Sequence, residues 1–89
     1  MGPEARLESR CCALARQAGM LAIKLHGVGL PDRLFVTPRT GACVFVEFKA
    51  PTGALRPAQK RMRLKFFRAN QYVWVIRSVD VFKKAVYLP

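Results

Sequence analysis

The run Cys43-Val44-Phe45-Val46 is apolar at every position and then breaks into Glu47-Phe48-Lys49. Side chains on a strand alternate between faces, so a stretch that is apolar at both phases has to be covered on both sides, as a central strand is. Glu47 and Lys49 then project to one side near the end of that strand, about 6.6 Å apart along the backbone, while Phe48 points into the opposite layer. An 89-residue chain has room for one such sheet and one core, so residues 1–89 are expected to form a single domain.

The residues before this strand supply a partner for it. Arg33 to Thr37 reads as a second strand, joined to the strand Cys43–Ala50 by Pro38-Arg39-Thr40-Gly41, which has the residues of a turn. With Arg39 and Thr40 as a two-residue tip, the antiparallel register sets Asp32 directly across from Glu47, their Cβ atoms about 5 Å apart. A three-residue tip ending at Gly41 would shift the pairing by one residue. Two carboxylates that close can share one cation.

Elsewhere the pattern is helical or strand-like in short pieces. Leu7, Cys11, Leu14 and Ala18 recur at helical spacing from about Glu4 to Ala18, and Gly19 is a natural stop. Glu8 lies beside that stripe, either turned toward the body of the protein or simply favoured by the helix dipole. Leu21 to Leu25 is a short strand, followed by a turn-rich loop from His26 to Pro31. Pro57 opens a second helix running to about Ala69, with Ala58, Met62, Phe66 and Ala69 as its buried stripe and Gln59 at the edge of that face. Arg61, Lys65 and Arg68 gather on its other side, where Leu64 hints at a subunit contact. Gln71 to Arg77 is a fourth strand whose Tyr72–Ile76 centre reads as too apolar for an exposed edge. Tyr72 and Trp74 are assigned to the core or a subunit interface rather than to base stacking. A last helix, Val79 to Ala85, gives the order αβββαβα, an α/β chain with a mixed central sheet flanked by helices.

Charge identifies the partner. The chain carries 16 Lys and Arg against 5 Asp and Glu, a net charge of +11. Such a surface concentrates polyanions and speeds their encounter, so nucleic acid is the first partner to consider. Solubility alone is served as well by acidic residues. Three of the five carboxylates, Glu8, Asp32 and Glu47, fall where this fold could bring them to one place. The three cysteines are odd in number and lack CxxC spacing, so they read as core residues of a protein in a reducing cytoplasm. No apolar stretch approaches the roughly 18 to 20 residues that span a bilayer, and MGPEARLESR has no signal-peptide core, so no membrane partner is expected.

Asp32 and Glu47 offer hard oxygen ligands suited to Mg²⁺ or Mn²⁺, and Lys49 sits beside them as a cation. Phosphodiester hydrolysis needs that combination: a metal to polarise the phosphate and activate water, and a positive charge to stabilise the phosphorus oxygens. Two plainer readings compete. A Glu-x-Lys pair on an exposed strand is a surface ion pair worth about 0 to 1 kcal/mol. A chain this basic could also be a nucleic-acid-binding protein without chemistry, or an RNA- or ribosome-associated one.

The segments Gly29-Leu30-Pro31-Asp32-Arg33-Leu34 and Val44-Phe45-Val46-Glu47-Phe48-Lys49-Ala50-Pro51, with Gly53, Pro57 and Gln59, together resemble the virus-type replication-repair nuclease (VRR-NUC) domain. That domain is a branch of the PD-(D/E)xK superfamily with its restriction-endonuclease-like core, and the likeness is to its short stand-alone, phage-type members, from Glu8 to Ser78. The resemblance implies an αβββαβ core and a divalent metal, Mg²⁺ or Mn²⁺, held by Asp32, Glu47 and the backbone carbonyl of Phe48. It implies catalytic support from Lys49 and Gln59, and a role for Glu8 on the first helix, reaching the metal through water. It also implies a homodimeric, structure-selective DNA endonuclease acting on four-way or other branched DNA. Phosphate contacts are expected from Lys24, Arg33, Arg56, Lys60 and Arg63. Arg56 stands where such domains often carry Ser, which weakens helix capping and adds a cation.

Overall fold

The computed structural model describes all of residues 1–89. It contains α1 (Pro3–Gln17), β1 (Leu21–Lys24), β2 (Arg33–Val36), β3 (Cys43–Phe48), α2 (Pro57–Arg68), β4 (Val73–Ile76) and α3 (Val79–Ala85). The strands form one sheet in the order β1-β2-β3-β4, antiparallel through β3 and parallel between β3 and β4. Antiparallel neighbours need only short turns, whereas the parallel step requires a crossover, which α2 supplies. The order and the mixed sheet flanked by helices are those read from the sequence. No helix is long and apolar enough to cross a membrane.

Pairing fixes which side chains share a face. Arg33 stands opposite Val46 and Phe35 opposite Val44, so the next pair along is Asp32 and Glu47, the register counted from the turn. The tip itself is different. Thr37 N–H donates to Ala42 O, Gly41 N–H donates to Thr37 O, and Pro38–Gly41 form a four-residue loop with Gly41 at φ +69. Arg39 and Thr40 would have to adopt positive φ in a two-residue tip, a poor fit for branched and long side chains. The longer loop keeps the same register and moves that conformation to glycine.

One face of the sheet holds the core. Phe35, Val44, Val46, Phe48 and Ile76 point to the side covered by α1 and α3, where they meet Cys11, Cys12, Ala15, Phe82, Ala85 and Val86. The Phe82 ring packs edge-on to Phe35 with centroids 4.9 Å apart, and Phe48 lies 6.4 Å from each. Fully burying a residue of this size stabilises by about 1.5–3 kcal/mol, so Phe48 anchors the strand end that carries its two charged neighbours. Burial pushes the Cys11 thiol up to about 12 and raises Cys12 as well, which leaves both as inert core residues. Cys43, by contrast, is exposed at the start of β3.

The other face is covered by α2 alone. Phe66 packs edge-on to Phe45 at 4.9 Å, but Ala58, Met62 and Phe66 are only half-buried and Ala69 is exposed, so the expected buried stripe is shallow. The most buried residue of α2 is polar, Gln59. Leu21 and Ile23, on β1, remain exposed. Strand β4 is an edge of the sheet, contrary to the expectation from its apolar sequence. Helices cover both of its faces, which is what its side chains report; an edge is a property of the main chain and leaves no such mark.

Candidate active site

Asp32 and Glu47 meet at the end of the hairpin. Asp32 precedes β2 and its Oδ2 accepts a 2.8 Å hydrogen bond from Phe48 N–H, tying the carboxylate across to β3. Leu25 N–H donates to Asp32 O on the other side, so the backbone here is held between two strands. Glu47 is only 4% exposed and faces α2. Its Oε2 accepts a 3.0 Å bond from Gln59 Nε2, and Gln59 Oε1 in turn accepts 2.8 Å from Arg56 N–H. The amide of Gln59 thus does two jobs: it satisfies a free backbone donor at the start of α2, and it fixes the orientation of Glu47. Arg56 itself makes no side-chain cap.

The electrostatics of the pair are unusual for a basic protein. Burial pushes Glu47 up to about 8, and the Asp32 carboxyl within hydrogen-bonding reach adds to the rise; Lys49 and Arg56 pull it down without reversing it. A buried carboxyl beside a second one does not ionise cheaply, so Glu47 keeps its proton unless a cation replaces it. That donor set, two hard oxygens already oriented by an amide and a backbone N–H, fits a small divalent metal. No third His, Cys, Asp or Glu joins them to make a cluster of three.

Lys49 is 5% exposed and lies on the same face as Glu47 by strand alternation. Its Nζ is 4.0 Å from Glu4 Oε1, and Ala50 N–H donates to the same oxygen at 3.4 Å. Glu4, in the first turn of α1, is therefore the helix carboxylate that meets this strand end, a contact nothing in the sequence singled out. The loop after β3 is clamped from the far side by Arg77, whose Nη1 donates to Gly53 O at 2.6 Å and Ala50 O at 2.8 Å.

Glu8 departs from its expected place. Its Oε2 accepts 2.7 Å from Arg33 Nε and 3.0 Å from Lys24 Nζ, on the α1 face of the sheet, away from the α2 face where Asp32 and Glu47 meet. Burial alone would raise Glu8, but the bonds from Arg33 and Lys24 outweigh it and leave its pKa below the ordinary carboxylate value. The same network alters the expectation for Lys24 and Arg33. Arg33 is part-buried and also donates to Ala22 O, which makes it an internal tie between α1, β1 and β2 rather than a free phosphate contact. Arg56 and Lys60 are exposed, and Arg63 donates to Val73 O at the sheet edge. Tyr72, assigned to the core or an interface, stands 56% exposed, with its ring edge-on to Trp74 at 5.1 Å.

No family model and no curated protein matches the sequence. The fold does have a counterpart among solved structures: one described as a VRR_NUC domain superposes with a TM-score of 0.84 at 27% identity, covering 98% of this chain and 97% of its own. A likeness that extends over essentially the whole of both chains gives this one the fold of a VRR-NUC domain.

Proposed function

We propose that the protein is a divalent-metal-dependent DNA endonuclease of the PD-(D/E)xK type. The observation that carries this reading is the Asp32–Glu47 pair: a buried glutamate with a half-buried aspartate beside it in a chain of net charge +11, with Lys49 on the same face. Asp32, Glu47 and the Phe48 carbonyl would hold Mg²⁺ or Mn²⁺. In an extended strand the N–H and C=O of one residue point to the same edge, and Phe48 N–H points at Asp32, so its carbonyl lies on that side too. When bound, the metal supplies Lewis-acid polarisation of the scissile phosphate and lowers the pKa of the attacking water.

The remaining parts belong to this chain. Gln59 holds the Glu47 carboxylate in one orientation, and Phe48 N–H does the same for Asp32, so neither ligand has to be ordered when substrate arrives. Lys49, shielded from bulk water, presents its ammonium to the phosphorus oxygens, where charge stabilisation is worth more than in solvent. Arg56 and Lys60 add exposed positive charge at the start of α2, next to Gln59. Branched DNA, including four-way junctions, is the substrate class included in this reading, and a second copy would cover the exposed Leu21 and Ile23.

The test is incubation of purified protein with forked, flapped and four-way DNA in Mg²⁺, Mn²⁺ or EDTA. Cleavage should require the metal and disappear in Glu47→Ala and Lys49→Ala. Cutting that persists in EDTA, or in those variants, would remove the assignment.

A further inference from the structure

Exposed large apolar residues cluster where α2 meets the edge of the sheet. Leu64 and Phe67, on α2, and Tyr72, just before β4, are 48%, 68% and 56% exposed and line a single open groove of about 280 Å³ together with Lys60, Arg63 and Val73. Single exposed hydrophobes are ordinary; three side by side next to two cations form a patch with a use. Lys60, Arg63, Leu64 and Phe67 fall at i, i+3, i+4 and i+7, one stripe of the helix. The stripe starts one residue from Gln59, the ligand-orienting amide, and runs about 10 Å toward Tyr72 at the α-helical rise.

Two details say what occupies the groove. The Val73 carbonyl, which points away from β3, is already taken by Arg63 Nη2 at 3.3 Å, so the β4 edge is blunted against a pairing strand from another protein. Arg63 Nε is buried without a hydrogen-bond partner, and with Nη2 tied to Val73 O the guanidinium is held as a fixed cation beside the patch. Apolar rings beside two cations do not suit a second copy of a chain with net charge +11. They suit a polyanion whose bases are free to stack.

We infer that the α2–β4 groove is a subsite for a single strand of DNA, with Tyr72 and Phe67 stacking on unpaired bases and Lys60 and Arg63 contacting the flanking phosphates. In a duplex the bases are already stacked on each other and offer these rings nothing, so among branched substrates the groove favours flaps and forks, in which an unpaired strand leaves the cutting site, over fully paired four-way junctions. This rests on the nuclease reading for the identity of the polyanion and extends it to the source of structure selectivity. Stacking of a base on an aromatic side chain is sequence-tolerant, which matches a protein that reads shape.

The experiment is equilibrium binding of full-length protein to a short oligothymidylate and to a blunt duplex of equal length, in EDTA, so that it reads the groove whether or not the protein cuts. Tyr72→Ala should weaken oligothymidylate binding about fivefold or more and leave duplex affinity within about twofold, while Tyr72→Phe, which keeps the ring, should bind like the parent. Phe67→Ala, at a more exposed position, should show the same selective loss if Tyr72→Ala proves poorly folded. The fluorescence of Trp74, the one tryptophan, should be quenched by the oligonucleotide in the parent. Equal loss on both DNAs, or no loss on either, overturns the inference. So does sedimentation showing that Tyr72→Ala converts a dimer to a monomer, which would make the groove a subunit contact.

Discussion

The two faces of the sheet treat their carboxylates in opposite ways. On the α1 face Glu8 is held by two cations, Arg33 and Lys24, and its pKa falls below the ordinary value. On the α2 face Glu47 is buried, with a second carboxyl beside it, and its pKa rises to about 8. The first arrangement stabilises the fold and the second opposes it. Two carboxyls held this close are retained only where something else compensates, and on the proposed reading a divalent cation does so. The core side is closed by Phe35, Phe48 and Phe82; the α2 side leaves Leu64, Phe67 and Tyr72 open.

That contrast can be broken by mutation. The largest effect is expected on the α2 face in activity: Asp32→Asn or Glu47→Gln should cost several kcal/mol of transition-state stabilisation, roughly a thousandfold in cleavage rate, without unfolding the protein. On the core face the effect should be in stability. Phe48→Ala should cost about 3–5 kcal/mol in denaturant unfolding, because it opens a cavity among three rings. Next comes Gln59→Ala, which frees the Glu47 carboxylate and should lower metal affinity about 10- to 100-fold, read by titration with Mn²⁺.

Smaller still is Glu8→Gln, which removes charge-assisted bonds to Arg33 and Lys24 and should cost about 1.5–3 kcal/mol of stability while the folded fraction still cuts. The two faces should also differ in pH dependence, measured on metal-free protein. Glu8, with a depressed pKa, contributes stability that is present above the ordinary value of 4.5 and is lost as pH falls through its folded value. Glu47 has the opposite sign. Between its ordinary value of 4.5 and about 8 the folded chain keeps a proton the unfolded chain has released, so stability falls as pH rises across that window. Asp32→Asn should make the second slope shallower, leaving the part that burial alone produces, and should leave the first unchanged.

Much of this was legible because it depends on local periodicity. The bounds of α3 and the start of α2 at Pro57 follow from spacing and proline chemistry, and the Asp32–Glu47 opposition follows from a side-chain period of two counted back from a turn. The pairing of Glu8 with Arg33 was not legible, since it joins residues 25 positions apart through the packing of α1 on the sheet. The burial of Gln59 had a faint signal, a polar residue on the third position of a helix whose cap lacks Ser, Thr, Asp or Asn. Tyr72 misled because an aromatic residue at the mouth of an apolar strand looks identical whether the strand is central or at an edge.

The central claim, that Asp32 and Glu47 form a divalent-cation site, is tested most directly by calorimetric titration of the metal-free protein with Mn²⁺ at several pH values. The account predicts one Mn²⁺ per chain, binding that strengthens as pH rises toward about 8 because the Glu47 proton must leave, and loss of that binding in Asp32→Asn. Binding that survives Asp32→Asn unchanged, or no binding by the parent at any pH, would contradict it.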